Sequence, residues 1–191
     1  MIGRGAQPCA DYLSASAQPI CMPSFIGADT VDEVTALALS KPPQQGRTHL
    51  DYGEARRCLI ARIFPGELSR LTAECISQLS QSMREFFPFD YTQNEPELNF
   101  IRYTDGEFFD WHLDMSPNGS MRRKLSFSIQ LTPDAEYDGG DLEFFPEVRL
   151  PSARKVGSVI VFPPFVPHRV TPVSRGTRYA LVGWLYGPPF K

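Results

Sequence analysis

From residue 98 onward, apolar and β-branched residues come in short runs broken by Gly, Pro, Asn and Asp. The runs fall at 98–103, 107–113, 123–131, 141–145, 157–162, 168–173 and 177–185. "SFSIQL", "GSVIVF" and "RYALVGWLY" have the alternation or the β-branched and aromatic content of strands. So many short strands in so little chain predict a sandwich or barrel, not alternating βαβ units. Upstream, the period changes. "TVDEVTALALS" (30–40) predicts a short helix, with Thr30 and Glu33 at capping-box spacing and Pro42-Pro43 as its stop. "GELSRLTAECISQLSQSMREFF" (66–87) repeats its apolar positions Leu68, Leu71, Cys75, Ile76, Leu79, Met83 and Phe86 every three or four residues, as a longer helix does. Both helices need a flat apolar surface to cover. Residues 1–24 show no period and read as an extended or partly mobile arm. The expectation is an α+β chain: a jelly roll with N-terminal helices packed on one sheet. Its parts are an arm over 1–24 and a single domain over 25–191, with helical support at 25–90 and the jelly-roll core at 97–188.

Composition narrows the partners. The 191 residues carry a net charge of −3, so no global field draws the chain to nucleic acid or to an anionic membrane. Arginine outnumbers lysine, 15 to 4, which makes each Arg in apolar surroundings worth following. The four cysteines lie at 9, 21, 58 and 75 without a C-x-x-C pair, a spacing that suggests free thiols and no zinc site. The N-terminus lacks the apolar h-region of a signal peptide, and no run approaches the roughly 18 apolar residues of a membrane span. A soluble, cytoplasmic protein is expected.

The tripeptide His-Leu-Asp occurs twice, at 49–51 and 112–114, and the chain holds only three histidines. The first copy lies in a polar stretch between the two helices and reads as a solvated connection. The second ends the strand-like run "GEFFDWHLD". Alternation puts i and i+2 on one face, so His112 and Asp114 can point at one centre. The remaining histidine, His168, opens a later strand in "FPPFVPHRV". Two histidines and one carboxylate form the facial arrangement of non-haem Fe(II) oxygenases. Ten residues on comes Arg178, on the same strand face as Ala180, Val182 and Trp184. Were 168–173 and 177–185 a hairpin about "SRG", His168 and Arg178 would share a face roughly 13 Å apart, a span suited to a five-carbon diacid. An Arg there can hold a carboxylate with its planar fork, or it can pair with a protein carboxylate. Both readings stay open on spacing alone.

The order Tyr103, His112-x-Asp114, Gly139-Gly140-x-Leu142, His168, Arg178 and Trp184 resembles the prolyl-4-hydroxylase-like branch of the 2-oxoglutarate/Fe(II)-dependent dioxygenases, over residues 97–188. The resemblance implies a double-stranded β-helix, with His112, Asp114 and His168 as iron ligands. Arg178 is implied on the distal carboxylate of 2-oxoglutarate and Tyr103 in the cosubstrate pocket. Gln130 falls where relatives often place a tyrosine, so its role departs from the pattern, though an amide can donate a hydrogen bond. The implied cofactors are Fe(II), 2-oxoglutarate and O2. The implied reaction is hydroxylation of an unactivated C–H bond, because Asp114 keeps the position that halogenases leave non-ligating. The substrate is expected to be a peptidyl-proline or other protein side chain, or a free amino acid or small metabolite.

Other readings stand beside these. Asp110 shares the expected strand face of His112 and is either a pocket residue that orients it or an exposed carboxylate. Trp184 and Trp111 are read as core or pocket wall, with Trp184 also a substrate-pocket candidate. "RRK" (122–124) reads as a solvated strand entrance, Gly139-Gly140 as a turn needing positive φ, and Cys58 and Cys75 as packing residues. Loops at 86–97 and 115–122 are expected to flank the metal and set specificity. Two alternatives compete: a non-catalytic cupin-like metal-binding jelly roll, and a nucleic-acid demethylase with the same iron chemistry. The acidic net charge and the lack of a long basic stripe count against the second.

Overall fold

The computed structural model describes residues 7–8, 17–46, 49–50, 53–91, 97–115 and 121–190. In chain order the elements are β1 (Gln7–Pro8), β2 (Ile20–Met22), α1 (Ala28–Leu39), β3 (Gln44–Gly46), β4 (His49–Leu50), β5 (Gly53–Glu54), β6 (Arg56–Ile63) and α2 (Arg70–Ser82). Then follow β7 (Glu97–Tyr103), β8 (Phe108–His112), β9 (Arg123–Gln130), β10 (Tyr137–Gly139), β11 (Leu142–Phe144) and β12 (Val148–Arg149). The chain ends with β13 (Val159–Phe162), β14 (His168–Val170), β15 (Val173–Gly176) and β16 (Arg178–Tyr186).

Twelve of the described strands form one curled antiparallel ribbon, in the order β1-β2-β13-β9-β16-β7-β6-β8-β14-β11-β12, with β3 added beside β6, while β10-β15 and β4-β5 are separate two-stranded pairs. The fold turns on β6. Its Leu59–Ile63 half pairs with β7 in the major sheet, while Arg56 and Arg57 pair with Phe109 and Phe108 of β8 in the minor sheet. The result is the expected jelly roll. Alternation then divides each major strand. Leu98 and Phe100 of β7, Phe127 and Ile129 of β9, and Leu181 and Leu185 of β16 point outward into the large core. Val31, Val34 and Ala38 of α1 and Ile76, Leu79 and Met83 of α2 cover that face, which puts both helices on one sheet as expected. The opposite, concave face is left for Asn99, Ile101, Tyr103, Ser128, Gln130, Arg178, Val182 and Trp184.

Several local expectations change. Helix α1 starts at Ala28, with Gly27 as a cap lacking a side chain, so Thr30 lies inside the helix and is buried. Glu33 does not close a capping box. Its carboxylate accepts from Ser69 N at 2.6 Å, Ser69 Oγ at 2.8 Å and Thr72 Oγ1 at 2.7 Å, and so caps the start of α2 from the neighbouring helix. Ile20–Met22, read as part of an arm, are buried and pair with β13. The stretch 56–63, placed within the helical support at 25–90, is a strand whose Leu59–Ile63 half belongs to the major sheet. The "RRK" cluster is not simply solvated: Lys124 is buried, with its Nζ 3.7 Å from the centroid of the Phe190 ring. Among the described residues, no helix is long and apolar enough to cross a membrane.

Candidate metal centre

His112 is the last residue of β8 and His168 the first of β14, and they face each other in register. Asp114 follows two residues after β8, its N–H donating to Pro164 O at 2.9 Å. One ligand atom from each of the three lies within 4.8 Å of the others. His112 Nε2 is 3.7 Å from Asp114 Oδ1, and His168 Nε2 is 3.5 Å from Asp114 Oδ2. Backbone carbonyls fix both tautomers: His112 Nδ1–H donates to Asp110 O at 2.7 Å and His168 Nδ1–H to Val166 O at 2.9 Å. The Nε2 lone pairs are therefore left facing the centre.

The rings are held as firmly. Phe109 stacks on His112 with centroids 3.4 Å apart and 12° between planes. Phe162 meets His168 edge-on at 4.6 Å. Arg123 Nη1 donates to Asp114 O at 3.0 Å, and its guanidinium lies 3.6 Å from the Trp184 ring centroid. Burial works against the charge of Asp114. His168 and His112, together with the Ser126 hydroxyl and the Trp184 indole that face it, nevertheless hold its carboxyl below the usual range. Burial, then the neighbouring His168, push the His112 imidazole down to about 3.

Asp114 Oδ2 is buried and has no hydrogen-bond partner among the described residues. A buried carboxylate oxygen without a donor is costly unless a cation completes it. Two imidazole lone pairs and one orphaned carboxylate oxygen fit a divalent metal such as Fe(II) that keeps open positions.

A cavity of about 790 Å³ runs from this triad to Arg178, with Tyr103, Ile60, Ile101, Val170 and Val182 among its walls. The route to that placement differs from the sequence expectation. Residues 168–170 and 178–186 form no hairpin: β14 belongs to the minor sheet and β16 to the major one, where Arg178 pairs with Tyr103. His168 and Arg178 face one another across the sandwich because β15 turns away to pair with β10. Arg178 is 4% exposed and forms no ion pair with a described carboxylate. Its Nε donates to Gln130 Oε1 at 3.1 Å. Gln130 Nε2 in turn donates one of its two N–H groups to Thr132 O at 2.8 Å, which fixes the amide so that its oxygen orients Arg178. Tyr103 is buried against Arg178, whose guanidinium is 5.8 Å from the ring centroid, and burial raises its phenol well above the usual range. Gly139 and Gly140 adopt φ of 70° and 61°; a Cβ on Gly140 would come within 3.1 Å of Arg178 Cδ.

Of the two readings of Asp110, the exposed carboxylate is the one seen. Its side chain is exposed and outside the cavity lining, and Oδ1 accepts from Trp111 N–H. The His112 ring folds back along the strand to reach the Asp110 carbonyl, so the backbone and not the carboxylate orients it. Trp184 and Trp111 both line the cavity. His49 and Leu50 form a two-residue strand with Gly53–Glu54, while Asp51 and parts of both expected specificity loops lie outside the described residues. Residue-by-residue reasoning missed Arg56, Phe109, Arg123 and Ser126. The polar positions 126, 128 and 130, alternating with Leu125, Phe127, Ile129 and Leu131, were the available signal.

Residues 98–186 match the 2OG-Fe(II) oxygenase superfamily, where 2OG stands for 2-oxoglutarate. A PKHD-type hydroxylase of Hyphomonas neptunium is 36% identical over 176 residues, 87% of this chain and 77% of that protein. A PKHD-type hydroxylase of Synechococcus sp. (strain CC9605) is 35% identical over 125 residues, but that match spans only 54% of the relative's length. Among solved structures, a Pseudomonas putida prolyl-4-hydroxylase superposes with a TM-score of 0.72 at 25% identity, over 90% of this chain and 94% of that one. The viral collagen prolyl hydroxylase of Paramecium Bursaria Chlorella virus-1 shares the fold, with a TM-score of 0.65 at 16% identity over 87% of this chain and 94% of that one. The extent of the Hyphomonas match, together with the triad and the buried Arg178, places this chain in the 2OG-Fe(II) oxygenase superfamily.

Proposed function

We propose that the chain is an Fe(II)- and 2-oxoglutarate-dependent hydroxylase acting on an unactivated C–H bond of a peptidyl proline or other protein side chain, or of a free amino acid or small metabolite. One observation carries the reading: the His112–Asp114–His168 triad and the uncompensated Arg178 face the same cavity. A metal-storing jelly roll has no use for a buried, amide-anchored guanidinium opposite its metal.

His112, Asp114 and His168 would hold the iron, and Arg178 the distal carboxylate of 2-oxoglutarate. The bound iron, with 2-oxoglutarate and O2, supplies an oxidant strong enough for C–H bonds, with loss of CO2. The protein's own residues prepare the site for it. The Asp110 and Val166 carbonyls keep Nε2 of each histidine unprotonated. Gln130 holds Arg178 by Nε and leaves its terminal N–H groups for a carboxylate. Ile60, Ile101, Val170 and Val182 give the space between apolar walls, which lowers the local dielectric and strengthens each charge interaction there. Trp184 and Trp111 form part of the cavity wall. The resemblance to prolyl hydroxylases supports a proline substrate, and the cavity volume accommodates a residue beside the cosubstrate.

The test is anaerobic addition of Fe(II) and 2-oxoglutarate, read as the visible absorption band of the chelate. The band is expected in wild type and in His49→Ala, and is expected to be lost in Asp114→Ala. A folded wild type without the band returns the molecule to the metal-binding jelly-roll reading.

A further inference from the structure

We infer that the substrate of this site is an anion and that Arg56 is the residue that holds its negative group; the inference rests on the hydroxylase reading. The described residues lining the cavity include four arginines, Arg56, Arg62, Arg123 and Arg178, against two carboxylates, Glu97 and Asp114. The chain as a whole carries −3, so the described lining of the cavity has the opposite sign to the molecule around it. Loading does not remove this excess. A divalent iron brings two positive charges and 2-oxoglutarate two negative ones, so the filled pocket stays cationic. A low-dielectric cleft lined by one sign concentrates ligands of the other.

The arginines are not equivalent. Arg123 meets Glu97 at 3.5 Å and is committed to the Asp114 carbonyl and the Trp184 face. Arg62 is exposed and lies over Phe64. Arg178 is assigned to the cosubstrate. Arg56 remains: half-buried, and in no ion pair with a described carboxylate, whereas its neighbour Arg57 is bound to Glu54. Its Nε donates to Cys58 Sγ at 3.0 Å. Burial pushes that thiol up, so the sulfur is neutral and leaves the guanidinium charge uncompensated.

The position suits a substrate. Arg56 pairs in register with Phe109, and its Cζ is 4.5 Å from that ring's centroid, while the other partner of Phe109 is the His112 ring. The guanidinium is thus fixed one ring away from a metal ligand. Arg56 lies on the part of β6 that pairs with β8 in the minor sheet, whereas Arg178 pairs with Tyr103 in the major sheet, so the two guanidinium groups reach the cavity from different sheets. With Nε on sulfur and the Tyr103 hydroxyl within reach of the guanidinium, Arg56 keeps further terminal N–H groups that can donate to a carboxylate.

The experiment uses the full chain, anaerobic, with Fe(II) and 2-oxoglutarate. Isosteric probe pairs are titrated in: proline against prolinamide, and acetyl-Pro-Glu amide against acetyl-Pro-Gln amide. Both tryptophans of the chain line the cavity, so their fluorescence reports binding without turnover. In at least one pair the acid is expected to bind about tenfold more tightly than the amide. Arg56→Gln should abolish that preference, and Arg56→Lys should keep part of it. Raised salt should weaken the acid and spare the amide in wild type, a result that needs no variant. In separate titrations, Arg178→Gln should weaken 2-oxoglutarate while Arg56→Gln stays within about twofold of wild type. A wild type that never prefers the acid overturns the inference. So does an Arg56→Gln loss of 2-oxoglutarate binding as large as that of Arg178→Gln, which would place Arg56 on the cosubstrate. Absence of any 2-oxoglutarate-dependent band in wild type fails the hydroxylase reading itself and is seen before a probe is added.

Discussion

His112 and His168 stand opposite each other across the β8–β14 pair, with ring centroids 4.1 Å apart. The two halves of the metal site therefore come from strands that must pair before the site exists, and a bound metal ties them together. Fe(II), or Co(II) as a stable surrogate, is expected to raise the melting temperature. At a hundredfold excess over Kd the linkage is worth about 2.7 kcal/mol, or about 5–11 °C for a chain of this size. EDTA should reverse the shift, and His168→Ala and Asp114→Ala should not show it. A metal-dependent shift retained in Asp114→Ala would place the metal elsewhere.

Acid should unfold the metal-free protein early. The folded-state pKa of His112 lies far below the imidazole's ordinary 6.5, so as pH falls below that value the unfolded chain takes up a proton that the folded chain refuses. Stability is lost through the window from about 6.5 down to about 3, with a limiting slope of about 1.4 kcal/mol per pH unit from this group. Asp114, whose carboxyl is held low, contributes stability above its unfolded value and loses it as pH falls further. Denaturant melts of the apo protein across this range should show the decline, and His112→Gln should remove its upper part. A pH-independent midpoint between 6.5 and 4 would contradict a neutral, buried His112.

Arg178 and Gln130 predict a division between affinity and chemistry. Removing the guanidinium in Arg178→Gln takes away the only assigned partner of a buried carboxylate and should weaken 2-oxoglutarate at least about 30-fold, equivalent to about 2 kcal/mol. Gln130→Leu keeps the charge but frees Nε, and about a tenfold loss is expected. Saturating cosubstrate should restore most of the turnover rate in Gln130→Leu. An anaerobic titration of the chelate band measures both affinities. Equal affinities for wild type and Arg178→Gln would remove Arg178 from the cosubstrate pocket.

What the sequence made legible follows from which interactions are local. Strands from 97 onward alternate because one face meets the helices and the other the cavity, so Leu98, Phe100, Leu125, Phe127 and Leu181 mark them plainly. His112 and Asp114 were readable because two residues along an extended segment share a side. β6 was not, since Arg56, Ile60 and Arg62 line a half-polar cavity and blur the contrast with Ala61 and Ile63 on the helix side. The hairpin expected between His168 and Arg178 failed because partner choice is long-range: β15 pairs with β10, residues far upstream, and the chain changes sheets in between. Asp110 takes the exposed one of its two readings. Strand alternation gives the direction of a Cβ, and at the rim of the sheet that direction leads into solvent.

The outer side of the minor sheet makes the last prediction. Glu143 is fully buried, with Oε1 on Arg149 and Oε2 accepting from Arg169 Nε at 2.7 Å. Arg169 lies beside His168 on β14, and its guanidinium is 4.6 Å from the ring centroid of Trp111, the neighbour of His112 on β8. One carboxylate thus braces both histidine-bearing strands from behind. Glu143→Gln leaves the geometry in place but removes the charge that two guanidinium groups face. Both arginines reach solvent in part, so the loss should sit at the low end for a broken buried pair, about 3 kcal/mol. That corresponds to a fall in melting temperature of about 6–12 °C. Metal affinity should drop with it, because β14 loses its register partner's hold next to His168. The double variant Glu143→Leu with Arg169→Met should recover part of the stability, since no charge is then left buried without a partner. Thermal melts with and without Co(II) measure both effects. A Glu143→Gln protein with wild-type melting and wild-type metal affinity would show that pairing and core packing alone hold the two histidines in place.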